Sequence, residues 1–337
     1  KVAAKIMGAE SYNGWTYWHC NINGSTVVID SLRQRLEALV RQFPGLKKLS
    51  PVLGQVGATP SPGFSKVIHS HPMLSLANAF NDTDVTDFLG RVKKFLALGA
   101  EQNIEVVAEP KIDGVSASLI YKNGEFKTGL SRGDGKEGED ITANLATIKD
   151  IPKKILNKDF PEEIDIRGEV FIRNSDFKNL RDKFANPRNA ASGSLRQKNS
   201  DDTSKIPLRF IAYTFGHEKG LNIENQFEYL KKLDEWGFKT NPYNKLITGI
   251  KNLIINYNEI EKKRTDIDFD IDGIVYKINN FKLQNRLGNV ANAPRWAIAH
   301  KFSSNKAISK VLNIDIQIGR TGALTPVAKI KTVNIGG

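Results

Sequence analysis

The feature that most constrains this chain is a succession of short, punctuated strand patterns. From residue 104 onward, IEVVAEPKID, SASLIYKNGEFKTGLS, IDIRGEVFI, LRFIAYTF, FDIDGIVYKIN and RWAIAHKF gather β-branched and aromatic residues over strand-length stretches. The second of these sets Asn123-Gly124 between two such runs, the pair that a two-residue hairpin turn favours. Helical spacing is interspersed in SDFKNLRDKFANP and ENQFEYLKKLDEWGF, the latter with Gly237 as a C-cap glycine. Adjacent hairpins outnumber strand-helix-strand units. The chain therefore reads as an α+β domain of mainly antiparallel sheets with flanking helices, not a doubly wound parallel sheet.

A chain of 337 residues divides into two or three domains. Near the front, IDSLRQRLEALVRQFPG predicts an amphipathic helix with Leu32, Leu36, Leu39, Val40 and Phe43 on one face, Asp30 as N-cap and Pro44-Gly45 as a stop. Residues 50–64 are rich in Pro, Gly and Ser and read as a linker. At the other end, VLNIDIQIGRTGALTPVAKIKTV predicts paired strands. The expected organisation is a small helical unit and linker over 1–70, a main domain over 71–309, and the start of a further, truncated domain over 310–337.

The balance of 49 Lys and Arg against 37 Asp and Glu gives a formal charge of +12. That suits a polyanionic partner bound through phosphates, and it also suits mere solubility. A single cysteine, Cys20, excludes an internal disulfide framework and any zinc site built on several thiolates within the chain. No apolar run reaches the length of a membrane helix, and the opening KVAAKIMGAE lacks the apolar core of a signal peptide. A cytoplasmic protein is expected.

One stretch carries chemistry. In AEPKIDGVS, strand alternation sends Glu109, Lys111 and Asp113 to one face and Pro110 and Ile112 to the other, and Gly114 lets a ligand approach the backbone. An exposed lysine is neutral only about once per thousand molecules near pH 7.5. A nucleophilic Lys111 therefore needs burial, a metal or neighbouring cations to lower its pKa, and Arg132, Arg188, Arg196, Lys277 and Lys301 are the available cations. His69 and His71 read as loop or packing residues, His300 as packing and Trp296 as a core residue. Asp272 and Lys277 differ by an odd number of positions, which in a regular strand puts them on opposite faces and leaves Asp272 a structural residue.

Eight segments in order, HPMLSLANAF (71–80), EPKIDGVS (109–116), SRGDGKEGEDIT (131–142), RGEVFI (167–172), ANPRNAASGSLRQ (185–197), DIDGIVYKI (270–278), PRWAIAHKF (294–302) and GRTGALTPVA (319–328), resemble the motif series of bacterial NAD-dependent DNA ligases. The resemblance implies a nucleotidyltransferase fold and a three-step reaction. A lysine takes AMP from NAD, AMP passes to the 5′-phosphate of nicked double-stranded DNA, and the 3′-hydroxyl displaces it to seal the strand.

By that resemblance Lys111 is the nucleophile. Glu109 accepts from the adenine amino group, and Glu169 holds the ribose and, with Asp113, organises a hydrated magnesium ion. Arg132 and Lys301 surround the ribose and α-phosphate, Lys277 lines the nucleotide pocket, and Ser75 and Leu76 touch NAD. Arg188 and Arg196 lie near the nucleotide and the nicked DNA. The same resemblance implies a monomer, and zinc only in C-terminal parts that this chain does not contain.

The chain departs from the family in its N-terminal unit. There the family reads the nicotinamide half with a segment like DAEYD, whereas this sequence has STVVIDSL. Asp30 matches the second aspartate, but Thr26 and Ile29 stand where the first aspartate and a tyrosine belong. Tyr17 and Trp18 align with the upstream aromatic pair. The fragment is expected to bind adenine nucleotide but to seal nicks poorly. Two other readings fit the residues: an ATP- or GTP-dependent lysine nucleotidyltransferase, which usually lacks the HPMLSL segment, and a catalytically silent basic nucleic-acid-binding module.

Overall fold

The computed structural model describes residues 19–22, 25–28, 64–99, 101–290, 293–303, 309–318 and 324–331. The helix expected after Asp30 and most of the linker lie outside them. The chain divides into two compact units, Lys1–Phe302 and Ser303–Gly337. In the second, Val311–Ile318 pairs antiparallel with Leu324–Ile330, as the alternation there predicts.

Among the described residues of the first unit, the two largest sheets have five and four strands. In chain order their strands are β1 (Ala77–Ala79), β2 (Glu105–Ile112), β3 (Val115–Lys122), β4 (Glu125–Ser131), β5 (Glu163–Ile172), β6 (Leu208–Lys219), β7 (Lys245–Thr248), β8 (Ile271–Ile278) and β9 (Ala297–Lys301). One sheet runs β7-β2-β8-β9-β1 and the other β6-β5-β3-β4. Every neighbouring pair is antiparallel except β9 and β1, which run parallel with His300 opposite Ala79. The mixed α+β class with antiparallel sheets is as the sequence predicts. At the β3–β4 turn Asn123 and Gly124 both take positive φ, 51° and 75°, which gives the hairpin the twist of its strands.

Among the described residues, five helices of seven or more residues flank the sheets: α1 (Asp82–Leu96), α2 (Pro187–Leu195), α3 (Gln226–Glu235), α4 (Ile250–Lys263) and α5 (Phe281–Leu287). Helix α3 ends as expected, with Gly237 at φ 92° and the Phe238 amide donating to the Leu233 carbonyl. The helix expected over SDFKNLRDKFANP does not form as one element. It breaks into a single turn at Asn174–Phe177 and a 3₁₀ turn at Lys178–Leu180, and the longer helix begins at Pro187, where a proline fits the first turn and Asn186 caps the Asn189 amide. Among the described residues no helix is long and apolar enough to cross a membrane.

The strand faces sort the side chains. Val106, Ala108 and Ile112 of β2 enter a core with Val85, Phe88 and Val92 of α1 and with Leu253, Tyr257 and Ile260 of α4. Ile164, Ile166, Val170 and Ile172 of β5 enter a second core with Leu119, Tyr121, Phe210 and Tyr229. The residues between them, Glu109 and Lys111 on β2 and Asp165, Arg167 and Glu169 on β5, occupy the opposite faces, where the two sheets confront one another. His300 stacks on Tyr257 at 3.9 Å between centroids and is buried, the packing role expected of it, and Trp296 packs against the same core.

Candidate active site

Lys111 stands at the end of β2 among carboxylates. Its Nζ lies 3.0 Å and 3.3 Å from the two oxygens of Asp272. Asp272 also accepts from Lys301 Nζ at 2.6 Å, so one carboxylate joins two lysines from two further strands. Asp113, on the turn after β2, takes a 2.5 Å bond from Arg188 at the start of α2. Glu169 of β5 accepts from Ser116 Oγ at 2.9 Å and from the Tyr213 hydroxyl at 3.4 Å.

The position of Asp272 corrects the strand argument. Between β8 and β2 the pairing passes from Ile271–Ile112 to Ile274–Pro110, three steps on one strand against two on the other. That bulge inserts one residue and brings Asp272 onto the face that Lys277 shares. Gly273 permits it, because a Cβ there would collide with the carbonyl of His300 on β9. Gly114 is a second correction: the space beside it is filled by the Val170 carbonyl and the Glu169 side chain, so its missing Cβ admits a neighbouring strand and not a ligand.

A second charged pair lies deeper. Lys277 Nζ donates to Glu109 at 2.9 Å and to the Tyr213 carbonyl at 2.8 Å, and Gln226 Nε2 donates to the other Glu109 oxygen at 2.9 Å and to the same carbonyl at 2.7 Å. Both side chains of the pair are almost wholly buried, Glu109 at 6% and Lys277 at 7% exposure. Tyr213, whose ring lies 5.2 Å from the Lys277 ammonium, and Gln226 went unnoticed in the sequence. Their only signal there is membership of LRFIAYTF and of the helix that follows it.

The site's electrostatics run against one expectation. Burial pulls the Lys111 ammonium down, but the charges of Asp272, Glu169 and Asp113 outweigh it, and its pKa lies above the ordinary lysine value. Lys301 shifts the other way, lowered by burial and by Lys111 beside it. Burial also raises the Glu169 carboxyl and lowers the Lys277 ammonium. Asp272, although buried, is held far below the usual carboxylate range by its two lysines. The cations expected to activate Lys111 are present in Lys301 and Arg188, yet the carboxylates dominate.

Four predicted residues remain. Arg132 is half-buried on the loop after β4, and its charge acts on Glu169. Ser75 and Leu76, also half-buried, lie on the segment leading into β1. Arg196, at the end of α2, is drawn away from the lysine cluster to Glu139, 3.3 Å distant. Among the described residues no group of three His, Cys, Asp or Glu side chains could hold a metal directly. Asp113 and Glu169 supply two carboxylates, which fits a magnesium ion that keeps most of its waters.

Comparison with known proteins identifies the family of the chain. Residues 61–305 match the family described as the NAD-dependent DNA ligase adenylation domain. A DNA ligase of Pelagibacter ubique (strain HTCC1062) is 62% identical over 308 residues, covering 91% of this chain and 46% of that protein. A DNA ligase of Xanthobacter autotrophicus (strain ATCC BAA-1158 / Py2) is 48% identical over 316 residues, covering 91% and 44%. The solved structure titled "Pmar-Lig_Pre." is similar at a TM-score of 0.40 and 13% identity, over 78% of this chain and 57% of that one. The chain spans about half the length of the curated relatives it matches. Over residues 61–305, which hold Lys111 on β2, the match is to this one family, and the chain belongs to the NAD-dependent DNA ligase adenylation domain family.

Proposed function

We propose that this chain carries out the first step of DNA ligation, transfer of AMP from NAD to Lys111. The observation that carries the reading is the clustering of Lys111, Asp272 and Lys301 from three strands, with Arg188 and Glu169 adjoining, in a cleft between two sheets. Neutral Lys111 Nζ attacks the α-phosphorus of NAD. A nitrogen–phosphorus bond forms, the bond to the bridging oxygen breaks, nicotinamide mononucleotide leaves with that oxygen, and the attacking nitrogen loses its proton to solvent.

Each residue has a task in that step. Asp272 orients Lys111 and at the same time stabilises its ammonium, so loss of the first proton from Lys111 precedes attack. An α-phosphate entering the cleft would meet Lys301 and Arg188, which balance the negative charge that grows on the phosphoryl oxygens. Lys277 and Glu109 hold one another in the deep part of the cleft. Each Glu109 oxygen accepts a single described bond and keeps a lone pair for the adenine amino group. Magnesium, held through water by Asp113 and Glu169, would supply charge neutralisation at the phosphates.

The same reading makes nicked double-stranded DNA the later acceptor of AMP, with Arg188 and Arg196 on its side of the cleft. On this reading residues 1–70 recognise the nicotinamide half, and the protein acts as a cytoplasmic monomer. The test is mass spectrometry of the purified chain after incubation with NAD and magnesium, beside a Lys111→Ala chain. A mass gain of one AMP on Lys111, absent from the variant, supports the reading. An adduct with ATP in place of NAD, or none with either, overturns it.

A further inference from the structure

On β5 the residues Asp165, Arg167 and Glu169 alternate with apolar ones and share the face that Lys111 approaches. Glu169 is accounted for by the site. Arg167, buried to 8% exposure two residues earlier, is not. Its Nε and Nη2 reach Asp165 Oδ2 at 3.0 Å and 2.8 Å, and the other Asp165 oxygen accepts from Ser118 Oγ at 2.5 Å. The outer edge of the guanidinium then reaches the main chain: Nη1 donates to the Pro72 carbonyl at 3.0 Å and Nη2 to the His71 carbonyl at 2.5 Å.

Those carbonyls belong to a segment tied down at several points. The His69 amide donates to the Lys136 carbonyl at 2.9 Å and the Met73 amide to the Gly135 carbonyl at 2.8 Å. His69 Nε2 lies 3.3 Å from the Arg132 carbonyl, and the His71 ring stacks on His217 of β6 at 5.6 Å. Four residues after Met73, at Ala77, the chain enters β1, which pairs with β9, the strand that ends in Lys301. Residues 74–76 therefore link a segment anchored beside the Glu169 sheet to a strand of the sheet that carries Lys111. The link includes Ser75 and Leu76.

We propose that Arg167 is a positioning residue for the nucleotide: by holding the carbonyls of His71 and Pro72 it fixes the linking segment that presents Ser75 and Leu76 to the substrate. This rests on the reading of the cleft as an NAD site. A planar guanidinium is needed because one side chain must meet a carboxylate and two carbonyls at once, and the ammonium of a lysine lacks that fork.

Arg167→Lys in the full 337-residue chain tests it by two measurements. The first is the rate of lysyl-AMP formation against NAD concentration. KM is expected to rise about tenfold with kcat within about twofold and the thermal midpoint unchanged within a few degrees, the pattern of lost ground-state binding. The second is amide hydrogen exchange, expected to speed about tenfold at residues 74–77 and to stay unchanged along β5. Unchanged exchange at 74–77, or a fall in kcat with KM intact, overturns the proposal. If the wild-type chain forms no lysyl-AMP, the assignment of the cleft to NAD fails, while the exchange comparison still decides whether Arg167 fixes the segment. Should Arg167→Lys not fold, Asp165→Asn, which weakens the guanidinium's other anchor, is expected to give the same two effects at about threefold.

Discussion

Asp272 holds Lys111 at 3.0 Å and Lys301 at 2.6 Å, so the candidate nucleophile and a second lysine are tethered to the same carboxylate. The tether sets the direction of the nucleophile and also its charge, because Asp272 is the largest influence raising the Lys111 pKa. Orientation and protonation are thus controlled by one residue, and substituting it separates them.

Asp272→Asn removes the charge and keeps the shape. With the main upward influence gone, Lys111 titrates lower, so the rise of adduct formation with pH moves to lower pH. The limiting rate at high pH falls, because neutral Lys111 then lacks the carboxylate that orients it. Single-turnover AMP transfer measured between about pH 7 and pH 10 reads both effects, each pH unit below the lysine pKa being worth about tenfold in neutral amine. A profile with unchanged midpoint contradicts this account. The same linkage acts on stability: a lysine titrating above its unfolded value stabilises the fold at pH below that value, and the contribution is lost as pH rises through the folded one.

Gly273→Ala meets the His300 carbonyl with its new methyl group and must shift either β8 or β9. The bulge that turns Asp272 toward Lys111 then cannot keep its geometry. Adduct formation is expected to fall at least about a hundredfold, the scale of losing one well-placed electrostatic group, while far-ultraviolet circular dichroism stays near wild type.

The Glu109–Lys277 pair predicts an asymmetry in stability. Glu109→Gln leaves a buried ammonium without its carboxylate and is expected to cost about 3–5 kcal/mol, whereas Glu109→Gln combined with Lys277→Met leaves no buried charge and costs less than the single change. Urea unfolding of the three chains gives the comparison. A double variant less stable than the single one would show that the pair is net stabilising beyond the penalty of breaking it.

Arg188→Ala removes a guanidinium that neutralises Asp113 and acts on Lys111. Lys111 is then expected to titrate still higher, and AMP transfer to slow about a hundredfold or more at neutral pH. Arg196→Ala, whose guanidinium is engaged by Glu139, is expected to leave AMP transfer within about threefold. Equal losses in the two variants would refute the separation of their roles.

The strands were legible in the sequence because their alternation, turn residues and apolar clusters agreed, and the faces of Glu109 and Lys111 followed from period two alone. Asp272 was misread for a physical reason: parity counting assumes an unbroken ladder, and a bulge of one residue reverses it. The helix at Asp82–Leu96 is not among the expected elements, although Asn81 caps it and Val85, Phe88, Val92 and Leu96 line its buried side. SDFKNLRDKFANP had helical spacing but also Asn186-Pro187, and the cap and proline started a helix there while the preceding residues formed only short turns. Tyr213, Gln226 and Arg167 act through main-chain carbonyls and buried partners brought from elsewhere in the chain, which no local pattern displays.

The parallel pairing of β1 with β9 joins residues 77–79 to residues 298–300. By contrast, every strand of the sheet that carries Glu169 lies between residues 115 and 219. Contacts so distant in sequence close late, after the chain entropy between them has been overcome. During synthesis, the sheet bearing Glu169 is therefore complete long before the one bearing Lys111, whose last strand is also the one that delivers Lys301. A ribosome paused before residue 297 would display one finished half of the cleft and leave β1 without the strand it pairs with.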